Sequence, residues 1–169
     1  MTVMHNEAPK GLTLLEGMIF GGIIALLIFA TGVMVSSART RARDYKRLSD
    51  MTRIQAALEL YFNDANAYPV TGDDAIVLGD TGARCLSAAG FQPSCASTGR
   101  VYLNPVPSQT SIGLKNSDLQ VYAYQSDGES YVMSFVIERA IAEAQVEKGV
   151  VCAQPGRAFF TTTGSVCSP

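Results

Sequence analysis

The stretch LTLLEGMIFGGIIALLIFATGVMV, Leu12 to Val35, decides how the rest of the chain is read. Its 24 residues carry a single charge, Glu16. As a helix it would extend about 36 Å, enough to cross a hydrocarbon core of roughly 30 Å. A buried helix in a soluble domain is one alternative, but such helices rarely run this far without polar relief. A removable secretory signal is a closer rival. Its apolar part would be shorter, about 7–15 residues, and would end at a small-residue cleavage site. Here the run is longer, and Ser36-Ser37-Ala38-Arg39 leads into more helix-compatible sequence. The stretch therefore reads as a membrane span. Within it Glu16 is the anomaly, because a carboxylate in an apolar span is costly unless it is paired or near an interface. Lys10 is the nearest upstream cation and lies six residues away. A partner for Glu16 is therefore sought on another molecule.

Composition agrees with an apolar block joined to an ordinary domain. The chain has 169 residues, 47% hydrophobic and 17% charged, with a net charge of −2. Its mean hydropathy is +0.15 and its pI is about 5.3. Disorder is excluded, since it requires low hydrophobicity and high charge. A wholesale nucleic-acid-binding surface is excluded by the acidic balance. One histidine and four scattered cysteines argue against a histidine-based metal or catalytic site. Within the span, Gly17 and Gly21 form a small-xxx-small pattern that lets helices approach closely, although glycine is common in such spans.

Beyond the span, residues 36–66 keep a helical pattern. Leu48, Met51, Ile54, Leu58, Tyr61 and Ala65 recur at three-and-four spacing with Phe62 beside them, a stripe that should pack on a sheet. The full rod from Leu12 to Asn66 would be about 80 Å long. Tyr68-Pro69 is expected to end it, because the residue before proline is pushed out of the helical region. Arg39, Arg41, Arg43, Lys46 and Arg47 follow the span, offset by Asp44. They read as a solvated face or a subunit-pairing surface, with a DNA- or lipid-binding cluster as the rival. By the positive-inside rule alone, this end would be cytoplasmic.

Residues 67–169 carry six Lys/Arg and nine Asp/Glu. Residues 71–98 read as a long surface loop, with a short helix expected near Ala83–Ala89. Asp73, Asp74 and Asp80 have no calcium-loop spacing and read as solvated turn carboxylates. Residues 119–125 and 130–138 alternate around Ser126-Asp127-Gly128-Glu129, a strong hairpin signal. Residues 140–147 read as a short helix or an irregular connection, and Val150–Val151 and Arg157–Thr163 as edge strands. The sum is an α+β fold: a long N-terminal helix, half transmembrane and half amphipathic, packed on an antiparallel sheet of three or four strands. No Ser/His/Asp set, phosphate-cradling loop or paired-carboxylate pattern is present. The expectation is a non-enzyme with no cofactor and no metal.

Cys85, Cys95, Cys152 and Cys167 all lie beyond the span. Four cysteines allow three connectivities, and proximity in sequence favours Cys85–Cys95 with Cys152–Cys167. A zinc site is the rival, but no Cys-x-x-Cys pair exists. Free buried cysteines are the other reading. Disulfides would place this region in an oxidising space outside the cytoplasm.

The segment Lys10-Gly11-Leu12-Thr13-Leu14-Leu15-Glu16 resembles the processing site of type IV pilins and of the pseudopilins of type II secretion systems. Residues 42–69 and the hairpin from Val121 to Val136 are also similar to that family, while residues 71–103 are not covered. The resemblance implies a leader, residues 1–11, removed by a prepilin peptidase between Gly11 and Leu12, followed by N-methylation of Leu12. It implies a helix half for membrane and polymerisation, 12–35, an amphipathic half, 36–66, and a globular region, 67–169. Glu16, fifth in the processed chain, would pair with the new amine of a neighbouring subunit and set assembly register. Breaking such a buried pair costs roughly 3–5 kcal/mol. The implied partners are copies of the chain, the peptidase, an assembly ATPase and its membrane platform. The implied location is a single pass in the inner membrane, with the C-terminal region outside the cytoplasm, then a filament. The resemblance also makes a disulfide-closed C-terminus expected, as in many pilins, and tilts the reading toward a pilus subunit over a major pseudopilin. A membrane-anchored binding module that never polymerises is the more distant alternative. The family usually has Phe where Leu12 stands and a large apolar residue where Gly17 stands. The first departure leaves cutting in place and weakens the expectation of methylation. No proline interrupts the run, so Thr31-Gly32 is its weakest point.

Overall fold

A computed structural model describes residues 13–96, 99–109, 121–162 and 167, with the side chain of Val33 outside that description. The leader and the Gly11–Leu12 junction lie outside the described residues. One helix, α1, runs from Leu14 to Ala65. Its first turn is capped by Thr13, whose Oγ1 accepts the Glu16 backbone N–H at 3.3 Å and whose carbonyl accepts the Gly17 N–H. Its end is set by Asn66, which adopts a left-handed φ of 53°. The Asn66 N–H returns to the Phe62 carbonyl at 2.7 Å, which closes the helix by the αL motif. Termination thus falls three residues before Pro69, at an asparagine that tolerates positive φ.

The chain divides into two compact units, Met1–Arg39 and Thr40–Pro169. In the first, the described residues are helix alone. Its large apolar side chains are uncovered, from 47% exposed at Val35 to 83% at Leu14.

The second unit is built on an antiparallel sheet with strand order β1-β5-β6-β7-β8. These strands are β1 (Ile76–Val77), β5 (Ala123–Ser126), β6 (Tyr131–Ile137), β7 (Gly149–Ala153) and β8 (Phe160–Thr161). The pleat sorts their side chains. Tyr131, Met133, Phe135 and Ile137 face the core with Met51, Ile54, Ala57 and Leu58 of α1. Val132, Val150 and Cys152 form a smaller cluster with Cys167. The register agrees: Phe135 lies opposite Val151 in the first set, and Ser134 opposite Cys152 in the second. The turn between β5 and β6 is the expected one. Asp127 Oδ1 accepts the N–H groups of Glu129 and Ser130 at 2.9 and 2.8 Å, and Gly128 takes a φ of 100°.

The amphipathic stripe is only partly as expected. Met51, Ile54 and Leu58 are fully buried, and Leu48, Tyr61 and Phe62 pack at the margin of the core, but Ala65 is exposed. The sheet has five strands where three or four were expected, and β7 is an interior strand paired to both β6 and β8. Residues 140–147 hold a single 3-10 turn, Ala142–Ala144.

The larger correction concerns residues 71–98. Their described part, 71–96, is neither a plain loop nor a carrier of helix at 83–89. β2 (Cys85–Ser87) and β3 (Gly90–Gln92) form a hairpin there, and β4 (Val101–Leu103) completes a second sheet of order β3-β2-β4. Leu78, Ala83 and Leu86 belong to the main core. Just before the hairpin, close packing demands a glycine. A Cβ on Gly79 would meet the Ser108 Cβ at 2.6 Å, and Gly79 itself has a φ of 76°.

Leu58→Ala should lower the unfolding free energy of the second unit by about 2–5 kcal/mol, the usual cost of a fully buried leucine. Urea unfolding of the full chain in detergent, followed by tyrosine fluorescence, measures it. Ala65→Ser should leave the midpoint unmoved.

Candidate functional site

Two regions hold the residues singled out by the sequence. The first is the apolar opening of α1. Its best stretch of 18 residues has a mean hydropathy of 2.5 and is 0% buried. Soluble domains rarely expose continuous apolar patches beyond a few hundred Å². The helix is long and apolar enough to cross a membrane and fits a single-pass anchor. Thr31 does not break it, since its hydroxyl donates to the Leu27 and Ile28 carbonyls at 3.0 and 2.9 Å. The space around the Cβ positions of Gly17, Gly21 and Gly32 is open.

Glu16 is exposed in the first turn of α1. Thr13-Leu14-Leu15-Glu16 has the spacing of a capping box, a local signal of a helix start. The N-terminal end of a helix also stabilises a carboxylate electrostatically. The Glu16 carboxylate thus stands where a helix start favours negative charge.

The second region is the basic segment beyond Val35, and it differs from expectation. Arg43 and Arg47 do not form a solvated face. Arg43 grips Glu138 with two bonds, Nε to Oε1 at 2.9 Å and Nη2 to Oε2 at 2.7 Å. Arg47 is 2% exposed, and its Nη1 bonds both Glu138 Oε1 at 2.9 Å and Asp44 Oδ1 at 2.8 Å. Asp44 is 1% exposed. Its two oxygens accept the backbone N–H groups of Glu138 and Arg139 at 2.9 and 3.0 Å. Two cations and two anions thus lock one turn of α1 onto the chain leaving β6. The Arg43 hydrogen bonds pull the Glu138 carboxyl below its ordinary 4.5; burial opposes them and Arg47 adds to them.

Further along α1, the buried Asp50 accepts Lys46 and the Tyr122 hydroxyl, the latter at 3.1 Å. Burial, then the Asp50 charge, drives the Tyr122 phenol far up. Burial, followed by the Glu59 charge and hydrogen bond, pushes Tyr68 up to about 12. Near the end of α1, Asp64 Oδ2 accepts Arg100 Nη1 and the Tyr102 hydroxyl, both at 2.7 Å.

The structure joins Cys85 to Cys95 and Cys152 to Cys167, each pair with Cα atoms 5.8 Å apart. The second bond holds Cys167 in the smaller cluster with Val132 and Val150. A groove of about 480 Å³ lies beside β1 and the β2–β3 hairpin, lined by Tyr61, Val70, Val77, Phe91 and one carboxylate, Asp80, among others. Among the described residues, no group of three or more His, Cys, Asp or Glu is placed to hold a metal. Comparison with protein-family models, with curated proteins and with solved structures finds no match to the chain.

Asp44→Ala should cost about 3–5 kcal/mol, because it leaves a buried arginine one partner short and two backbone donors unpaired. The shift of the urea midpoint measures it. The Glu138 carboxyl titrates lower in the folded chain than its ordinary 4.5. Its contribution is therefore complete at neutral pH and is lost as pH falls through its folded value. Between pH 7 and pH 3 the wild-type midpoint should fall further than that of Glu138→Gln.

Proposed function

We propose that this chain is a structural subunit of a type IV pilus or a closely related filament, anchored first in the membrane and then polymerised through α1. The observation that carries this reading is the uncovered apolar helix with Glu16 in its first turn. Such a surface needs lipid, or copies of itself, to cover it. One chain supplies both in succession if the helix moves from bilayer to bundle. The fold supports the reading: one long N-terminal helix whose later half seals an antiparallel sheet, a pilin-like layout.

Cleavage after Gly11 would give Leu12 a cationic amine. In a neighbouring subunit, Glu16 would meet that amine in a dry bundle, where a lone carboxylate is expensive. The peptidase, the assembly ATPase and its membrane platform are the machinery this route requires, and the chain itself acts as a structural subunit without catalysis. The two disulfides support placing the second unit outside the cytoplasm. The arginines that oppose this topology have another reason to exist, since Arg43 and Arg47 are committed to Glu138 and Asp44 inside the fold. The Cys152–Cys167 bond, which closes the C-terminus, favours a pilus subunit over a secretion pseudopilin.

Glu16→Ala should leave the protein in the membrane fraction and abolish its recovery in sheared filaments. Normal filament yield from that variant would overturn the assembly role. N-terminal sequencing of wild-type filaments should begin at Leu12, and an intact leader on a monomeric membrane protein would refute the processing.

A further inference from the structure

We propose that Arg39 and Arg41 bind the anionic headgroups of phospholipids at the surface of the membrane that α1 enters, an inference that rests on the membrane reading of its apolar stretch. Residues 36–53 contain six lysines and arginines against two aspartates. The fold disposes of these charges unequally. Both aspartates turn inward, Asp44 at 1% and Asp50 at 5% exposure. Arg43 and Arg47 are satisfied by Glu138 and Asp44, and Lys46 reaches Asp50. Of the remaining three, Arg53 is exposed farther along, and Arg39 and Arg41 stand on the exposed surface of α1 nearest the apolar stretch. Arg41 interacts electrostatically with Glu143, which also accepts the Tyr45 hydroxyl at 3.1 Å.

Position favours lipid over the acidic face of a second copy. Arg39 and Arg41 stand four and six residues beyond Val35 on one helix, about 6–9 Å further along it. The headgroup layer adds roughly 5–8 Å beyond the hydrocarbon on each side. Phosphates therefore lie within reach of these guanidiniums for as long as the span is in the bilayer, and arginine binds phosphate bidentately. Charge polarity points the same way. Residues 67–169 carry nine acids against six cations, so an anionic surface attracts this end of the chain and repels the rest.

The test uses the full chain in phosphatidylcholine vesicles doped with spin-labelled phosphatidylglycerol or spin-labelled phosphatidylcholine. The wild type should immobilise the anionic label about fivefold more strongly per arginine, the usual strength of a basic residue at a charged membrane surface. Added salt should reduce the preference. R39Q/R41Q should bring the two labels close to parity, and R39K/R41K should retain most of the preference. Both side chains are exposed, so an unchanged urea midpoint will confirm that the variants fold. Parity in the wild type, or an unchanged preference in R39Q/R41Q, overturns the inference. Self-association in undoped vesicles that R39Q/R41Q abolishes, with label parity, overturns it in favour of a second copy. Alkaline extraction reads the span separately. Release of the wild type from the vesicles overturns the span and this inference together, whereas retention with parity overturns only the inference.

Discussion

One helix has to satisfy two surroundings, and most of the structure follows from that constraint. Up to Val35, α1 presents apolar side chains in every direction, which suits hydrocarbon or a bundle of like helices. From Leu48 onward it presents one apolar stripe, which suits the face of a sheet. The sheet in turn exists to receive that stripe. Tyr131, Met133, Phe135 and Ile137 project toward it at every second residue of β6, while the intervening residues of β6 and β7 form a separate small cluster around Cys152 and Cys167. Without α1 the sheet would expose a row of aromatic rings. Without the sheet the later half of α1 would be a charged helix with one wet apolar stripe.

The first turns of the second unit cannot be held by apolar contact alone, because the residues there are charged. Asp44 meets this need with both oxygens on the backbone after β6, and Arg43 and Arg47 meet it through Glu138. A buried ion cluster is weak evidence of net stability against an apolar equivalent. Its geometric demands are strict, however. Bidentate Arg43–Glu138 pairing and two backbone N–H groups on one carboxylate fix how that turn of α1 meets the end of β6. The pairing neutralises Arg43, Lys46 and Arg47 and leaves the segment's outward charge to Arg39, Arg41 and Arg53.

Much of this was legible in the sequence, for identifiable reasons. The span, the helix beyond it and the β5–β6 hairpin each repeat one physical period over enough residues to be unambiguous: unbroken apolarity, three-and-four spacing, and alternation around Asp-Gly. The second sheet was not legible. β2, β3 and β4 have three residues each, too short for alternation to register, and the alanines and glycines between them mimic a loop or a short helix. Nor was the cluster at Asp44 legible. Its residues are separated by up to 95 positions, and nothing local marks Glu138 as the acid that neutralises two arginines of the helix. At the opening of α1, Glu16 stands out in the sequence as an odd charge, whereas the Thr13 spacing that gives it a local role at a helix start is a short and common signal.

That local role bears on how a carboxylate survives at this point in the chain. Glu16 lies in the first turn of α1 beside a threonine cap, and a charge near a helix start and near an interface is far cheaper than one at the bilayer centre. On the proposed reading, a membrane-anchored chain can therefore hold Glu16 near the interface without a partner. A dry bundle removes that relief, since headgroups and water are replaced by neighbouring apolar helices and the demand for a cation rises with the drop in dielectric. The same residue is tolerated in one surrounding and insistent on a partner in the other. On the proposed filament reading, its energetic weight would lie in the passage from lipid to filament.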